Sequence, residues 1–206
     1  HYHSYPNSGG AFKVQIFSPY IFLNLSRLPV TIKTRPWAGH AKMVAGQESH
    51  DDDYDASEQR KPFLVSRIGE SNNRFLIRSR DSSWSKPLSF DVIGSEVGVV
   101  IPSSSGDREL HLGLDIQDGL SKFKLSKVVK LAPRYLIHNK LSHAVLIAES
   151  MGGDPVRIGA DERVPLHWFH VASNKHATLA LEGSNLEWTA PFSIDNIGNV
   201  YLRMVR

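Results

Sequence analysis

His167 and His170 stand three residues apart. On an extended strand that spacing points the two imidazoles to opposite faces, so a shared metal is not expected. Asp51, Asp53 and Asp55 offer oxygens at the first, third and fifth positions of a calcium loop. The sixth position is Ala56 where that motif has Gly, and the twelfth is Pro62 where it has Glu. The run therefore reads as a solvated loop, and neither a metal nor any other cofactor is expected. The chain has no Gly-x-Ser-x-Gly elbow, Walker loop, G-x-G-x-x-G or His-Glu-x-x-His. It has no cysteine, which excludes thiolate catalysis and cysteine-held zinc. No catalytic residue is assigned, and the chain is not expected to be an enzyme.

The other polar residues that could do chemistry are two asparagines. Asn24 closes Ile21-Phe22-Leu23 and Asn139 closes Leu136-Ile137-His138. Asn is depleted in strands, and a buried amide must find partners. The first reading is a clamp on backbone groups at an irregular strand end, the second a direct ligand contact.

These asparagines belong to an internal repeat. Residues 84–94 read WSKPLSFDVIG and residues 188–198 read WTAPFSIDNIG. Trp84, Pro87, Ser89, Asp91, Ile93 and Gly94 align with Trp188, Pro191, Ser193, Asp195, Ile197 and Gly198 at an offset of 104. Residues 19–32 and 133–147 form a second pair, in which Tyr20 meets Tyr135 and Asn24 meets Asn139 at an offset of 115. The shrinking offset implies a shorter middle loop in the second copy, with no counterpart for Asp51 to Asp55. Both tryptophans are expected in or beside the cores.

The elements around these residues alternate with period two. Phe12, Val14 and Ile16 do so, as do Leu112, Leu114 and Ile116, and Val145 with Ile147. Such strands bury one face and wet the other. Helical signals are weak, and Gly and Pro punctuate at strand spacing. The fold class expected is all-β, as two tandem antiparallel β-sandwich repeats. The first spans residues 11–131. The second spans residues 132–206 and lacks an equivalent of residues 107–131, as an excised piece of a longer array would. Residues 1–10 read as a tag remnant, linker or grafted peptide. Residues 46–62 and 102–109 read as polar loops.

Composition narrows the partner class. The 206 residues carry 24 basic and 21 acidic side chains, a net charge of +3. The basic residues are scattered, so the stripe that nucleic acid needs is missing and no nucleic-acid partner is expected. No apolar run approaches the ~18 residues of a membrane span, and no signal-peptide pattern is read at the start. A cysteine-free chain fits a reducing, cytosolic-facing compartment.

A proline-aromatic opening, an apolar strand ending in Asn, W-[ST]-x-P-[LF]-S-x-D and then PRYLIHN resemble the adaptor-binding (VAB) repeats of the vacuolar protein sorting thirteen family of bridge-like lipid transfer proteins. The resemblance covers about residues 11–206. It implies an array of β-sandwich repeats, each with a hallmark asparagine, here Asn24 and Asn139. It implies binding of short Pro-x-Pro motifs in membrane-resident adaptors. The protein would then be cytoplasmic and peripheral at organelle membranes and contact sites, recruited through adaptors and not by direct membrane contact.

A Pro-x-Pro strand puts both prolines on one side of itself, so it suits an edge beside apolar pockets. Tyr135, Leu136 and Ile137 beside Asn139, and Trp168 with Phe169, are the candidate peptide-binding residues. The competing readings are plain core positions in a scaffold that binds nothing, and an enzyme or carbohydrate-binding sandwich with titratable groups converging in one deep pocket.

Overall fold

In a computed structural model of the chain, residues 2–4, 9–10, 12–34, 53–55, 62–65, 74–90, 94, 97–183, 187–196 and 198–203 are described. In chain order the strands are β1 (Tyr2–Ser4), β2 (Phe12–Val14), β3 (Tyr20–Asn24), β4 (Val30–Thr34), β5 (Asp53–Asp55) and β6 (Phe63–Val65). There follow β7 (Arg74–Ser79), β8 (Leu88–Ser89), β9 (Val97–Pro102), β10 (Arg108–Asp118), β11 (Lys127–Pro133) and β12 (Tyr135–His138). The last six are β13 (Val145–Glu149), β14 (Val156–Ile158), β15 (Arg163–Leu166), β16 (Trp168–His170), β17 (His176–Leu181) and β18 (Phe192–Ser193). The helical content among the described residues is two short 3-10 segments, Ser121–Phe123 and Val171–Ser173.

The chain is all-β. The alternating residues do what their period requires. Leu110, Leu112, Leu114 and Ile116 of β10 are buried in one apolar cluster, while Asp115 between them stays half-exposed. That cluster also takes Phe22 of β3, Ile32 of β4, Phe75 and Ile77 of β7, Ile101 of β9 and Leu131 of β11. Two sheets supply it: β9 and β11 flank β10, with β3 and β6 beyond β11, and the other sheet runs β5-β4-β7-β8. Phe75 stacks on Phe90 at 4.1 Å between ring centroids, and Tyr20 lies 4.5 Å from the same ring. A second cluster gathers Val145, Ile147, Ile158 and Ala177, with Ile137, Val164, Leu166 and Phe192 packed against it. Its strands are the pair β12-β15 and the sheet β14-β13-β17-β18. The expected antiparallel architecture needs one correction among the described residues: β11 lies parallel to β3, with Lys127 opposite Tyr20 and Leu131 opposite Asn24.

The duplication is visible in the pairing scheme. β3 pairs with β6 as β12 pairs with β15. The order β5-β4-β7-β8 recurs as β14-β13-β17-β18. This corrects one expectation: the acidic stretch does have a counterpart. Asp53–Asp55 is the edge strand β5, opposite Thr31 to Lys33, in the place that Val156–Ile158 takes beside β13. Edge strands tolerate charged residues, so the two share a position without sharing residue types. Asp51, Asp52 and Ala56 of the calcium-like run lie outside the described residues, as do Asp91, Ile93, Ile197 and most of 46–62.

A second correction concerns the tryptophans. Trp84 is half-buried at the surface, with the Arg78 guanidinium 4.5 Å from its ring centroid, and Trp188 is 37% exposed. The W-[ST]-x-P segment instead anchors through its hydroxyl residue. The Ser85 amide donates to the Ile77 carbonyl at 2.8 Å, and the Ile77 amide donates back to Ser85 Oγ at 3.0 Å. Thr189 repeats both bonds with Leu179, at 2.8 and 3.0 Å.

Strand β16 joins the two halves. It lies in the second half of the chain but pairs with β10, Trp168 opposite Leu110 and His170 opposite Arg108. Trp168 packs against the first cluster.

Candidate functional site

The two asparagines make the same clamp. Asn24 Nδ2 donates to the Leu28 carbonyl at 2.8 Å and Oδ1 accepts from the Ser26 amide at 3.1 Å. Asn139 Nδ2 donates to the His143 carbonyl at 2.9 Å and Oδ1 accepts from the Leu141 amide at 3.0 Å. Each ties its own strand end to the turn two and four residues on. Asn139 also reaches the Ile158 and Gly159 carbonyls at 3.1 and 2.8 Å, binding that turn to the end of β14. Both side chains are buried, so every one of these bonds replaces water that cannot reach.

The five candidate peptide-binding residues do not form one surface. Leu136 is 53% exposed on β12. Ile137, its neighbour, packs into the second cluster, as strand alternation requires. Tyr135 is half-buried and its hydroxyl donates to Asp195 Oδ1, while Lys175 pairs with the other oxygen. Lys175 and Tyr135 together hold the Asp195 carboxyl below its usual range. Phe169 is 3% exposed and meets Tyr135 and His111 edge-on, each at 5.3 Å.

Trp168 and Phe169 line a small, partly open cavity of mixed polarity, about 70 Å³, together with Ile147, Ala148, Val156, Leu166, Ala177 and Ile194. Arg108, Glu149 and Asp154 complete its wall. Glu149 Oε2 accepts from the His170 amide at 2.8 Å, and its Oε1 lies 3.7 Å from Arg108. Sequence reasoning passed over these charged residues, because Arg108 and Glu149 are far apart in the chain and meet only where β16 crosses to β10. Small-molecule pockets usually enclose roughly 300–1,000 Å³. This cavity is too small for a sugar or nucleotide, and it suits a single side chain.

Near the junction His111 is buried and His167 half-buried. Burial pushes His111 below the usual imidazole range, the Lys175 charge adds to this, and Glu109, 3.3 Å away, opposes it. Burial does the same to His167, with the Arg27 charge adding. No cluster of His, Cys, Asp and Glu that could hold a metal occurs among the described residues. Nor does any helix there have the length and apolarity to cross a membrane.

The pairing scheme, the twin asparagines and the W-[ST]-x-P anchors meet a family match along the whole chain. The vacuolar-sorting associated protein 13 adaptor binding domain matches residues 1–206. The chain belongs to this family. Its match begins at residue 1, so the first ten residues, read from sequence as a tag, linker or graft, fall within it. A similar protein is the intermembrane lipid transfer protein VPS13 of Chaetomium thermophilum, 39% identical over 209 aligned positions, covering 100% of this chain and 6% of that protein. The intermembrane lipid transfer protein vps13E of Dictyostelium discoideum is 27% identical over 146 positions, 66% of this chain and 3% of its own length. The corresponding VPS13C of Mus musculus is 31% identical over 106 positions, 51% of this chain and 2% of its own length. The chain thus spans a small part of the length of these relatives.

Proposed function

We propose that this module is a non-catalytic receptor for short Pro-x-Pro segments of membrane-resident adaptors, built as two tandem β-sandwich repeats over residues 11–131 and 132–206, antiparallel but for the contact of β11 with β3. The cavity behind Trp168 and Phe169 carries the reading. Its wall mixes apolar side chains with Arg108, Glu149 and Asp154, which can orient a backbone, and its volume suits one side chain. A proline ring fills such a space at little entropic cost, because its backbone is already restricted. Binding would bring the longer protein to organelle membranes and contact sites through the adaptor, from the cytoplasm. Asn24 and Asn139 act on the site indirectly, by holding the turns that set strand positions.

Calorimetric titration with Pro-x-Pro peptides tests this. The parent should bind, and Ile147→Trp, which fills the cavity, should weaken binding at least tenfold, about 1.4 kcal/mol. Leu136→Ala should leave affinity unchanged. Equal binding by the parent and Ile147→Trp would remove the cavity from the site. The alternative is a scaffold that binds no ligand, favoured by the burial of Ile137, Trp168 and Phe169 in or between the two clusters. Absence of binding by the parent at hundreds of micromolar would support it.

A further inference from the structure

The cavity behind Trp168 and Phe169 has a filled counterpart in the first cluster, and strand register fixes the match. Glu149 stands opposite Ala177 as Thr34 stands opposite Phe75. Ala177 in turn stands opposite Phe192, as Phe75 stands opposite Leu88. Ala177 is therefore the counterpart of Phe75. Ser193 lies opposite His176 as Ser89 lies opposite Arg74, so Ile194, the next residue, is the counterpart of Phe90. By the same pairing Ile147 matches Ile32, and Leu166, opposite Tyr135, matches Val65, opposite Tyr20.

The two sets of four are packed differently. In the first cluster the Phe75 and Phe90 rings stack on each other with Tyr20 beside them, and Ile32, Val65, Phe75 and Phe90 are all buried. In the second, a methyl group and a branched aliphatic chain stand where the two rings stood. The same four positions, Ile147, Leu166, Ala177 and Ile194, line the open space of about 70 Å³. Tyr135, the counterpart of Tyr20, turns its hydroxyl to Asp195 and meets Phe169 edge-on. Protein interiors are otherwise close-packed, and a gap costs stability in proportion to its volume.

A missing neighbour does not explain the gap. The first cluster holds the ring stack and the β10–β11 hairpin together, with Leu112, Val129 and Leu131 packed beside Phe75 and Phe90. A hairpin of that type does not take the rings' place. The gap follows from the residue types at two internal positions.

We propose that Ala177 and Ile194 set the size of this seat, and that it receives one proline ring from the partner segment where the first cluster supplies rings of its own. The inference rests on the reading of the cavity as the Pro-x-Pro site and adds which residues select the anchor. Volume favours proline over an aromatic anchor. An engineered apolar cavity of about 150 Å³ takes benzene, and this seat is far smaller. A proline ring enters with its backbone already restricted and buries only its methylenes. The first cluster, closed by its own stack, takes no ligand at the matching place.

Calorimetric titration of the whole chain tests this, with a Pro-x-Pro peptide and with versions carrying Phe in place of either proline. At one of the two positions the parent should prefer Pro to Phe by tenfold or more, the scale on which apolar pockets judge size. Ala177→Leu should weaken binding of the Pro-x-Pro peptide at least tenfold with no fall in the melting midpoint, because the added carbons enter open space. Ala177→Val should fall between it and the parent. Ile194→Ala widens the seat and should cut the preference for Pro over Phe at least tenfold, a change of ligand choice that loss of packing alone does not produce. Parent-like affinity in Ala177→Leu, while Ile147→Trp loses binding, overturns the sizing role and leaves the cavity reading standing. An unchanged Pro-over-Phe preference in Ile194→Ala does the same. A midpoint that drops by several degrees in Ala177→Leu shows that position 177 has no room and overturns it as well. Absence of peptide binding by the parent removes both the sizing role and the reading beneath it.

Discussion

Replacing Asn139 by Ser is the sharpest perturbation of this fold. The amide supplies two hydrogens to three backbone carbonyls, at His143, Ile158 and Gly159, and its oxygen takes the Leu141 amide. A serine hydroxyl has one hydrogen and a shorter reach, so it can replace the local turn contact but not the bonds to the end of β14. Two net bonds at about 1 kcal/mol each, plus a carbonyl left partly unsatisfied, give a loss of about 2–3 kcal/mol. Because β16 pairs with β10 and Trp168 packs into the first cluster, the two halves are mechanically linked and should melt together. For a cooperative unit of this size the loss lowers the midpoint by about 4–12 °C. Scanning calorimetry of the parent and Asn139→Ser measures it. A shift under about 1 °C, well below the range that scaling gives, refutes the clamp. A second, low transition in the variant alone would instead refute the linkage through β16.

The repeated hydroxyl anchor gives a second prediction: Thr189→Val keeps the shape but orphans the Leu179 amide, costing about 1–3 kcal/mol in denaturant unfolding, and an unchanged midpoint would discount the bond. Acid offers a third. His111 and His167 have imidazoles held below the unfolded value of about 6.5, so the unfolded chain binds protons that the folded one refuses. Stability from these groups is complete above that value and falls as pH drops below it. The urea midpoint should fall between about pH 7 and pH 5, before the Asp195 carboxyl begins to protonate. His111→Gln with His167→Gln should flatten that slope, and a midpoint that rises on acidification would contradict the argument.

Much of the blueprint was legible in the chain itself. Alternation of Leu112, Leu114 and Ile116 announces a strand with one buried face, whatever the neighbours are. The repeated Asn and W-[ST]-x-P positions announce a duplication, because local turn chemistry needs particular side chains: an amide that reaches two and four residues on, and a hydroxyl beside a strand amide. The match of β5 to β14 was not legible. Edge strands contact one neighbour only, and Asp53–Asp55 and Val156–Ile158 occupy the same place with unrelated residues. The candidate peptide residues were chosen for size and position, and sequence could not say which way each one points. Strand alternation sends Leu136 outward and Ile137 inward, and the crossing of β16 to β10 takes Trp168 into the first cluster.

The sequence by itself determined the strand character and the duplicated anchors, since these follow from residue types and spacings of a few positions. Only the tertiary structure decided which strands become neighbours. A strand's two edges are chemically alike along the backbone, so no residue type records which edge is filled. The parallel seat of β11 on β3 and the pairing of β16 with β10 in the first sheet are set by long-range pairing.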